Sequence, residues 1–165
     1  MDAGPLLSLA IWTGISFLAF VGVAVALRRT ANFLPILLHG YHLPTPSSNP
    51  IAAQFGQLDD IFAHYPRLTL IHIIPGIFFM LLGPLQLNST IGARNLPGHR
   101  WSGRIFVTCA YLIGISALVM SLAMPSIGGA NQATATTVFS IFFLFALTRA
   151  FCSFAGATFR SIARG

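Results

Sequence analysis

The stretch IFVTCAYLIGISALVMSLAM, residues 105–124, decides the fold class. It runs for twenty residues without a charged side chain, and a helix needs about 20 apolar residues to cross the hydrocarbon core of a bilayer. Three other stretches of similar length are also strongly apolar, at residues 6–27, 68–87 and 134–154. The sequence therefore predicts an all-α integral membrane protein with four transmembrane helices.

The composition of the whole chain supports this class. Of its 165 residues 55% are hydrophobic and only 7% are charged, with a mean hydropathy of +0.79. A soluble domain has about 25% charged residues. The nine basic residues are all arginine, and they lie scattered at the ends of apolar runs rather than along one face. Because a nucleic-acid surface needs a contiguous basic face, we expect lipid headgroups as partners and no nucleic acid.

A long linker, residues 28–67, separates the first two predicted spans. Its sequence YHLPTPSSNPIAAQFGQLDD (41–60) is rich in Pro, Ser and Asn, which predicts a long proline-rich loop. No internal repeat is visible, so residues 1–165 are expected to form a single membrane domain. The first span begins after Asp2 rather than after a basic region, and we interpret it as a retained helix and not a cleaved signal peptide.

The distribution of arginines predicts the orientation. Side A is defined as the face with the long linker and the loop near Pro125, and side B as the face with both termini and the 88–104 loop. Side B carries Arg94, Arg100, Arg104, Arg160 and Arg164, and side A carries Arg28, Arg29 and Arg67. The positive-inside rule then puts side B, with both termini, in the cytoplasm, and we expect a multi-pass protein of a bacterial inner membrane.

Small and polar residues recur at steps of three and four along three spans, so they share one face of each helix. On the second helix this face holds His72, Gly76, Phe79, Gly83 and Gln86. On the third it holds His99, Gly103, Phe106, Ala110, Gly114, Ala117 and Ser121. On the fourth it holds Ala146, Ala150, Ser153 and Ala157. Small residues let membrane helices approach closely, so these faces are predicted to pack together.

The two histidines on these faces suggest two alternatives. The first is that they are hydrogen-bonded packing residues. The second is a site for b-type haem or a quinone formed by His72 and His99, with Gly76, Gly83 and Gln86. The two histidines are expected roughly 20 Å apart along the bilayer normal, so they cannot bind the same iron.

Partners for these histidines are scarce in this sequence. For His72 the candidate second ligands are in the linker, at His39, His42 and His64, and side B offers none for His99.

Few residues in the spans are suited to catalysis. None of the four spans contains Asp or Glu, and no nucleophile–base arrangement or phosphate-binding loop is visible. The linker residues His39, His42, Asp59, Asp60 and His64 lack the spacing of a metal-ligand signature. We therefore predict no metal site and no catalysis by the chain on its own.

Three arginines and one tryptophan on side B are predicted to contact lipid or a partner protein. They are Arg100, Trp101, Arg104 and Arg149. Arg149 lies inside the fourth span, where its side chain either extends to the headgroups or meets an acidic group of a lipid or partner. Cys109 and Cys152 are both expected in the side B half as free thiols that pack as small apolar residues.

The segments HIIPGIFFMLLGPLQL (72–87) and GHRWSGRIFVTCAY (98–111) together resemble a family of predicted bacterial membrane proteins classed as a domain of unknown function. The resemblance covers roughly residues 68–160. The family pattern coincides with His72, Gly76, Gly83, Pro84, Gln86, His99, Arg100, Trp101, Gly103 and Arg104. Phe106 stands where the family usually has Tyr.

The resemblance further implies helices after a second His-Arg-Arg-Trp-like segment, which falls about where this sequence stops, at FRSIARG (159–165). A side B partner for His99 is then expected to be lost or to come from another chain. The paired histidines make the family similar to four-helix b-type cytochromes, which is an analogy of fold alone.

Two functional hypotheses follow. In the first, the chain is a non-catalytic accessory subunit that packs against partner membrane subunits and lipid, which requires only the small-residue faces and the interfacial arginines. In the second, it is a redox membrane protein that binds haem b or a quinone. We favour the first, because complete ligand pairs for the second are lacking in the sequence.

Overall fold

Four long helices make up the computed structural model, which describes residues 3–40, 56, 59–87 and 96–162. Helix α1 comprises Ala3–His39, α2 Pro66–Leu87, α3 Leu96–Ala123 and α4 Gly129–Ile162. Each is long and apolar enough to cross a membrane, and the described residues form no strand. The prediction of an all-α membrane protein with four transmembrane helices is confirmed. Most of the proline-rich stretch 41–60 of the linker, including His42, lies outside the described residues.

Helix α1 continues well beyond the predicted end of the first span at residue 27. It ends at His39 because Gly40 takes a left-handed conformation, with φ of 90°, and donates its N–H to the Ile36 carbonyl at 3.0 Å. A left-handed glycine is a common helix terminator. The predicted start of the linker at residue 28 was therefore wrong. Gly40 is the signal in the sequence that marks the end of α1.

The extension of α1 lies beyond the length that a bilayer needs. The helix has 37 residues, about 55 Å, against a hydrocarbon core of about 30 Å. Its last turns pack on a short helical segment, residues 59–64, and on the start of α2. The buried residues of this contact, here called the side A core, are Phe33, Ala63 and Leu70, with Ile36, Phe62 and Ile73 packed against them.

Polar contacts fasten the side A core. Arg29 lies 3.6 Å from the Asp59 carboxylate, and its guanidinium is 5.1 Å from the centre of the Phe62 ring. The Thr69 hydroxyl of α2 donates a hydrogen bond to the Phe62 carbonyl at 3.1 Å and so joins α2 to residues 59–64. Pro66 begins α2, at a position where its missing N–H costs nothing. Part of the predicted loop is thus helical and packed in a hydrophobic core.

The helices lie side by side in chain order. Extensive contacts join α1 to α2, α2 to α3 and α3 to α4 among the described residues. A closed four-helix bundle would also pair α1 extensively with α4. The arrangement is therefore an open layer, in which α1 and α4 form the two edges.

The predicted packing face of α4 was wrong. Ala146, Ala150 and Ser153 are exposed, whereas Ser140 is buried and Leu144 contacts α3 at Gly114. The fourth predicted member, Ala157, lies outside the residues whose side chains are described. All faces of a membrane helix are apolar, so small residues alone do not distinguish a helix-facing side from a lipid-facing one.

Candidate functional site

The side B ends of α2 and α3 are joined by Gln86. Its side-chain Nε2 donates to the Ser102 hydroxyl at 2.7 Å, and Ser102 in turn donates to the His99 carbonyl at 3.1 Å. Gly103 lies directly beneath the amide, because a Cβ atom there would be 3.2 Å from Gln86 Oε1. Gln86 and Gly103 therefore serve the packing of α2 on α3.

Aromatic rings fill the middle of the same interface. Phe79 of α2 stacks on Phe106 of α3, with ring centres 4.5 Å apart and an interplanar angle of 14°. Gly83 lies beside this pair, since a Cβ atom there would be 3.8 Å from the Phe106 ring, an ordinary van der Waals distance. Phe79 also meets Phe143 of α4 edge to face at 6.4 Å. The ring of Phe79 thus bridges α2 to both α3 and α4.

His72 is bound to α3 in the side A half of the interface. Its Nδ1 lies 2.9 Å from the Ser116 hydroxyl, which is itself 2.6 Å from the Leu112 carbonyl. A carbonyl only accepts, so the single hydroxyl proton of Ser116 goes to Leu112 and Nδ1–H of His72 donates to Ser116. This tautomer leaves the lone pair on Nε2 as an acceptor or a ligand.

A groove opens beside His72, with α2 and α4 as its walls and α3 as its floor. This His72 groove has a volume of about 520 Å³, within the range of small-molecule sites. From α2 and α3 it is lined by His72, Gly76, Phe79, Met80, Ile113, Gly114 and Ala117. From α4 it is lined by Gln132, Ala135, Thr136, Phe139, Ser140 and Phe143. It is an apolar recess with a few polar groups.

The structure separates the residues of the predicted cofactor site. His72 and Gly76 line the groove, whereas Gly83 and Gln86 lie in the contact between α2 and α3. His99 is near the start of α3, seventeen residues before the partner of His72, and that distance along a helix is about 25 Å. The two histidines are therefore not brought together.

Ser116 was not among the predicted site residues, although the sequence contains a signal for it. His72 and Gln86 are 14 positions apart in the sequence, and so are Ser102 and Ser116. In an antiparallel pair, the contact of Gln86 with Ser102 thus places Ser116 opposite His72. The corresponding signal for α4 is weaker. Ser121 and Tyr111 of α3 lie 2.9 Å from Thr137 and Thr148 of α4, but the two pairs are ten positions apart on α3 and eleven on α4.

The predicted lipid or partner contacts are on the surface. Arg100, Trp101, Arg104 and Arg149 are all exposed, and the Arg104 guanidinium is 5.8 Å from the centre of the Trp101 ring. The ion pair found in the described part of the chain, Arg29 with Asp59, involves none of them. Their charges are available to a partner or to lipid headgroups.

The remaining titratable residues form no metal-binding group of three or more His, Cys, Asp or Glu within the described ranges. His64 bonds through Nδ1 to the Asp60 carbonyl at 2.8 Å. Cys109 is buried, Cys152 is exposed, and both are free thiols.

A family model for "Predicted membrane protein (DUF2306)" matches residues 69–161, more than half of the chain. The chain belongs to the DUF2306 family. The DUF2306 match takes in nearly all of α2, all of α3 and α4 up to residue 161, and hence the whole His72 groove, whereas α1 precedes it. No curated protein and no solved structure matches the chain.

Proposed function

We propose that this DUF2306 protein is a non-catalytic accessory subunit of a bacterial inner membrane, which packs against helices of a partner protein and against lipid. The observation that carries the proposal is the open layer, because α1 and α4 each pack extensively on one neighbour within the chain. Edge helices of this kind are free to associate with helices of another chain.

The exposed cations of side B support a charged partner or an anionic lipid. Arg100, Arg104 and Arg149 are exposed, and none of them is in the ion pair of the described residues. No Asp or Glu lies within the spans to neutralise Arg149. A cation within a helix near the membrane surface is stabilised when an external acidic group pairs with it.

Site-specific photo-crosslinking in native membranes tests the accessory role. A photoreactive phenylalanine analogue is placed at Phe142 of α4 and at Phe17 of α1, which are 67% and 65% exposed. We expect at least one of these edges to give a discrete adduct with a second polypeptide. Adducts with lipid alone at both edges, or an adduct of two copies of this chain, would contradict the accessory role.

A redox function is the second candidate, and His72 favours it. The Nε2 atom carries a lone pair, and the ring lines a groove whose volume suits a lipid-soluble cofactor. Haem b with two axial histidines fits this groove less well than a quinone, because His72 is the one histidine among the groove-lining residues that the structure describes.

An absorption spectrum of the purified protein distinguishes the redox candidates. A reduced-minus-oxidised difference spectrum with Soret and alpha bands that disappear in His72→Ala, but persist in the Gly14→Leu control on α1, would establish haem. A quinone extracted with the wild type and lost from His72→Ala would establish the quinone alternative. Wild-type protein that yields neither signal would refute the redox function.

A further inference from the structure

We infer that the His72 groove binds a tailed phenol of the hydroquinone class, with a ring hydroxyl donating to His72 Nε2 and the hydrocarbon tail along the apolar walls. The inference deepens the redox candidate above and names its ligand. It concerns binding alone and requires no electron transfer.

The two glycines that line the groove differ in their surroundings. A Cβ atom on Gly114 would lie 2.6 Å from Leu144 and 3.1 Å from Phe143, so the close contact of α3 with α4 requires this glycine. A Cβ atom on Gly76 would meet nothing within 4 Å. Helix packing does not account for Gly76, and its missing side chain enlarges the groove beside His72.

The hydrogen bonds of His72 define which headgroup it accepts. Nδ1–H is directed to Ser116, which orients the ring and leaves Nε2 as an acceptor. The ester carbonyls of ordinary phospholipids are acceptors too and form no hydrogen bond with a neutral Nε2. A hydroxyl group donates, so the complementary ligand is an alcohol or a phenol.

The depth and the walls of the groove favour a small aromatic headgroup. His72 lies six residues into α2, about 9 Å from Pro66 along the helix axis. A bulky charged headgroup at that depth loses its hydration, whereas a phenol ring does not carry this cost. Phe79, Phe139 and Phe143 offer ring faces and edges to an aromatic ligand.

A polar group on α4 is available for a second ring oxygen. Gln132 lines the groove, and its Oε1 accepts the Gly128 N–H at 2.7 Å. Its amide NH₂ therefore remains to donate. A para-substituted ring with oxygen atoms at both ends suits a recess with a histidine acceptor and an amide donor in its lining.

Binding of an alkyl hydroquinone to the protein in lipid nanodiscs tests the inference, with the dimethyl ether of the same compound as the ligand control. The ether keeps the ring and the tail but has no hydroxyl. We expect the hydroquinone to bind about tenfold more tightly than the ether to the wild type, as for one hydrogen bond, and the two to bind equally to His72→Ala.

Gly76→Leu tests the location without changing His72. The leucine fills open space in the groove, so we expect the helical content to be unchanged and hydroquinone binding to fall at least tenfold. Gly14→Leu is the matched control, because Gly14 is on the exposed surface of α1 with nothing within 4 Å of its Cβ position. We expect this control to bind like the wild type.

Three outcomes would overturn the inference: equal affinities of hydroquinone and ether for the wild type, unchanged binding to Gly76→Leu, or tighter binding of a monoacylglycerol than of the hydroquinone. Its failure is separable from that of the redox function. Hydroquinone binding without any redox activity would refute the redox function and leave the binding site established.

Discussion

Gly76 and Gly114 show at the residue scale that the same small side chain serves two purposes. Gly114 is buried under Leu144 and Phe143, and Gly76 faces the open groove. Both residues recur at the spacing of small-residue faces, so the sequence gives them the same interpretation.

Alanine substitutions separate the two glycines. We expect Gly114→Ala to destabilise the protein by about 1–3 kcal/mol, because the added methyl group overpacks the contact between α3 and α4. Gly76→Ala, the matched control, is expected to be neutral or to stabilise by about 0.5–1 kcal/mol, since alanine favours a helix and meets no neighbour. Thermal unfolding in detergent, followed by circular dichroism, measures both. Equal melting temperatures for the two variants would refute the predicted contact.

The surroundings of Arg149 allow a second prediction at the residue scale. It is exposed within a span and pairs with no carboxylate of the described chain. We expect Arg149→Leu to insert normally but to retain less anionic lipid or partner protein, measured by mass spectrometry of the purified membrane complex. Arg67→Leu, an exposed arginine on side A, is the control. If Arg149→Leu co-purifies with the same lipids and partners as the wild type, its side chain merely extends to the surface.

At the scale of elements, the side A core is the main departure from a simple set of spans. The last turns of α1, residues 59–64 and the start of α2 pack around Phe33, which is 1% exposed. This cluster ties α1 to α2, and α1 has no other extensive contact among the described helices.

Loss of Phe33 is therefore expected to detach the end of α1. Phe33→Ala should cost about 3–5 kcal/mol, the usual cost of removing a buried phenylalanine. Phe17→Ala, at a position of α1 that is 65% exposed, is the matched control and should cost far less. Unfolding by denaturant measures stability, and limited proteolysis near Gly40 reports the release of the α1 end. Proteolysis of Phe33→Ala at the wild-type rate would contradict the predicted role.

At the scale of the whole molecule, the open layer and the arginine distribution together describe how the chain is expected to lie in a membrane. The turn between α3 and α4, residues 124–128, is on the same side as the side A core, because consecutive spanning helices alternate in direction. The excess of arginines on side B predicts that this side is cytoplasmic.

Cysteine labelling tests this orientation in a variant without Cys109 and Cys152. We expect a membrane-impermeant maleimide to label Ser47→Cys from the periplasm of intact cells and to leave Gly165→Cys unlabelled until the cells are lysed. Both positions lie outside the described residues and belong to sides A and B in the predicted topology. Labelling of Gly165→Cys in intact cells would reverse the orientation.

The sequence by itself determined the number of helices and the pairing of α2 with α3. A spanning helix is recognised from a sufficiently long run of apolar residues alone. The faces that meet are marked by the spacing of Gly83 and Gln86 on α2 and of Gly103 and Phe106 on α3. Only the tertiary structure decided that Phe33 joins a core at side A, that His72 bonds Ser116 beside a groove, and which face of α4 meets α3. The physical reason is that a membrane helix is apolar on every side, so hydropathy does not distinguish a surface in contact with lipid from one in contact with protein. That distinction depends on which side chains fit against one another once the helices are neighbours.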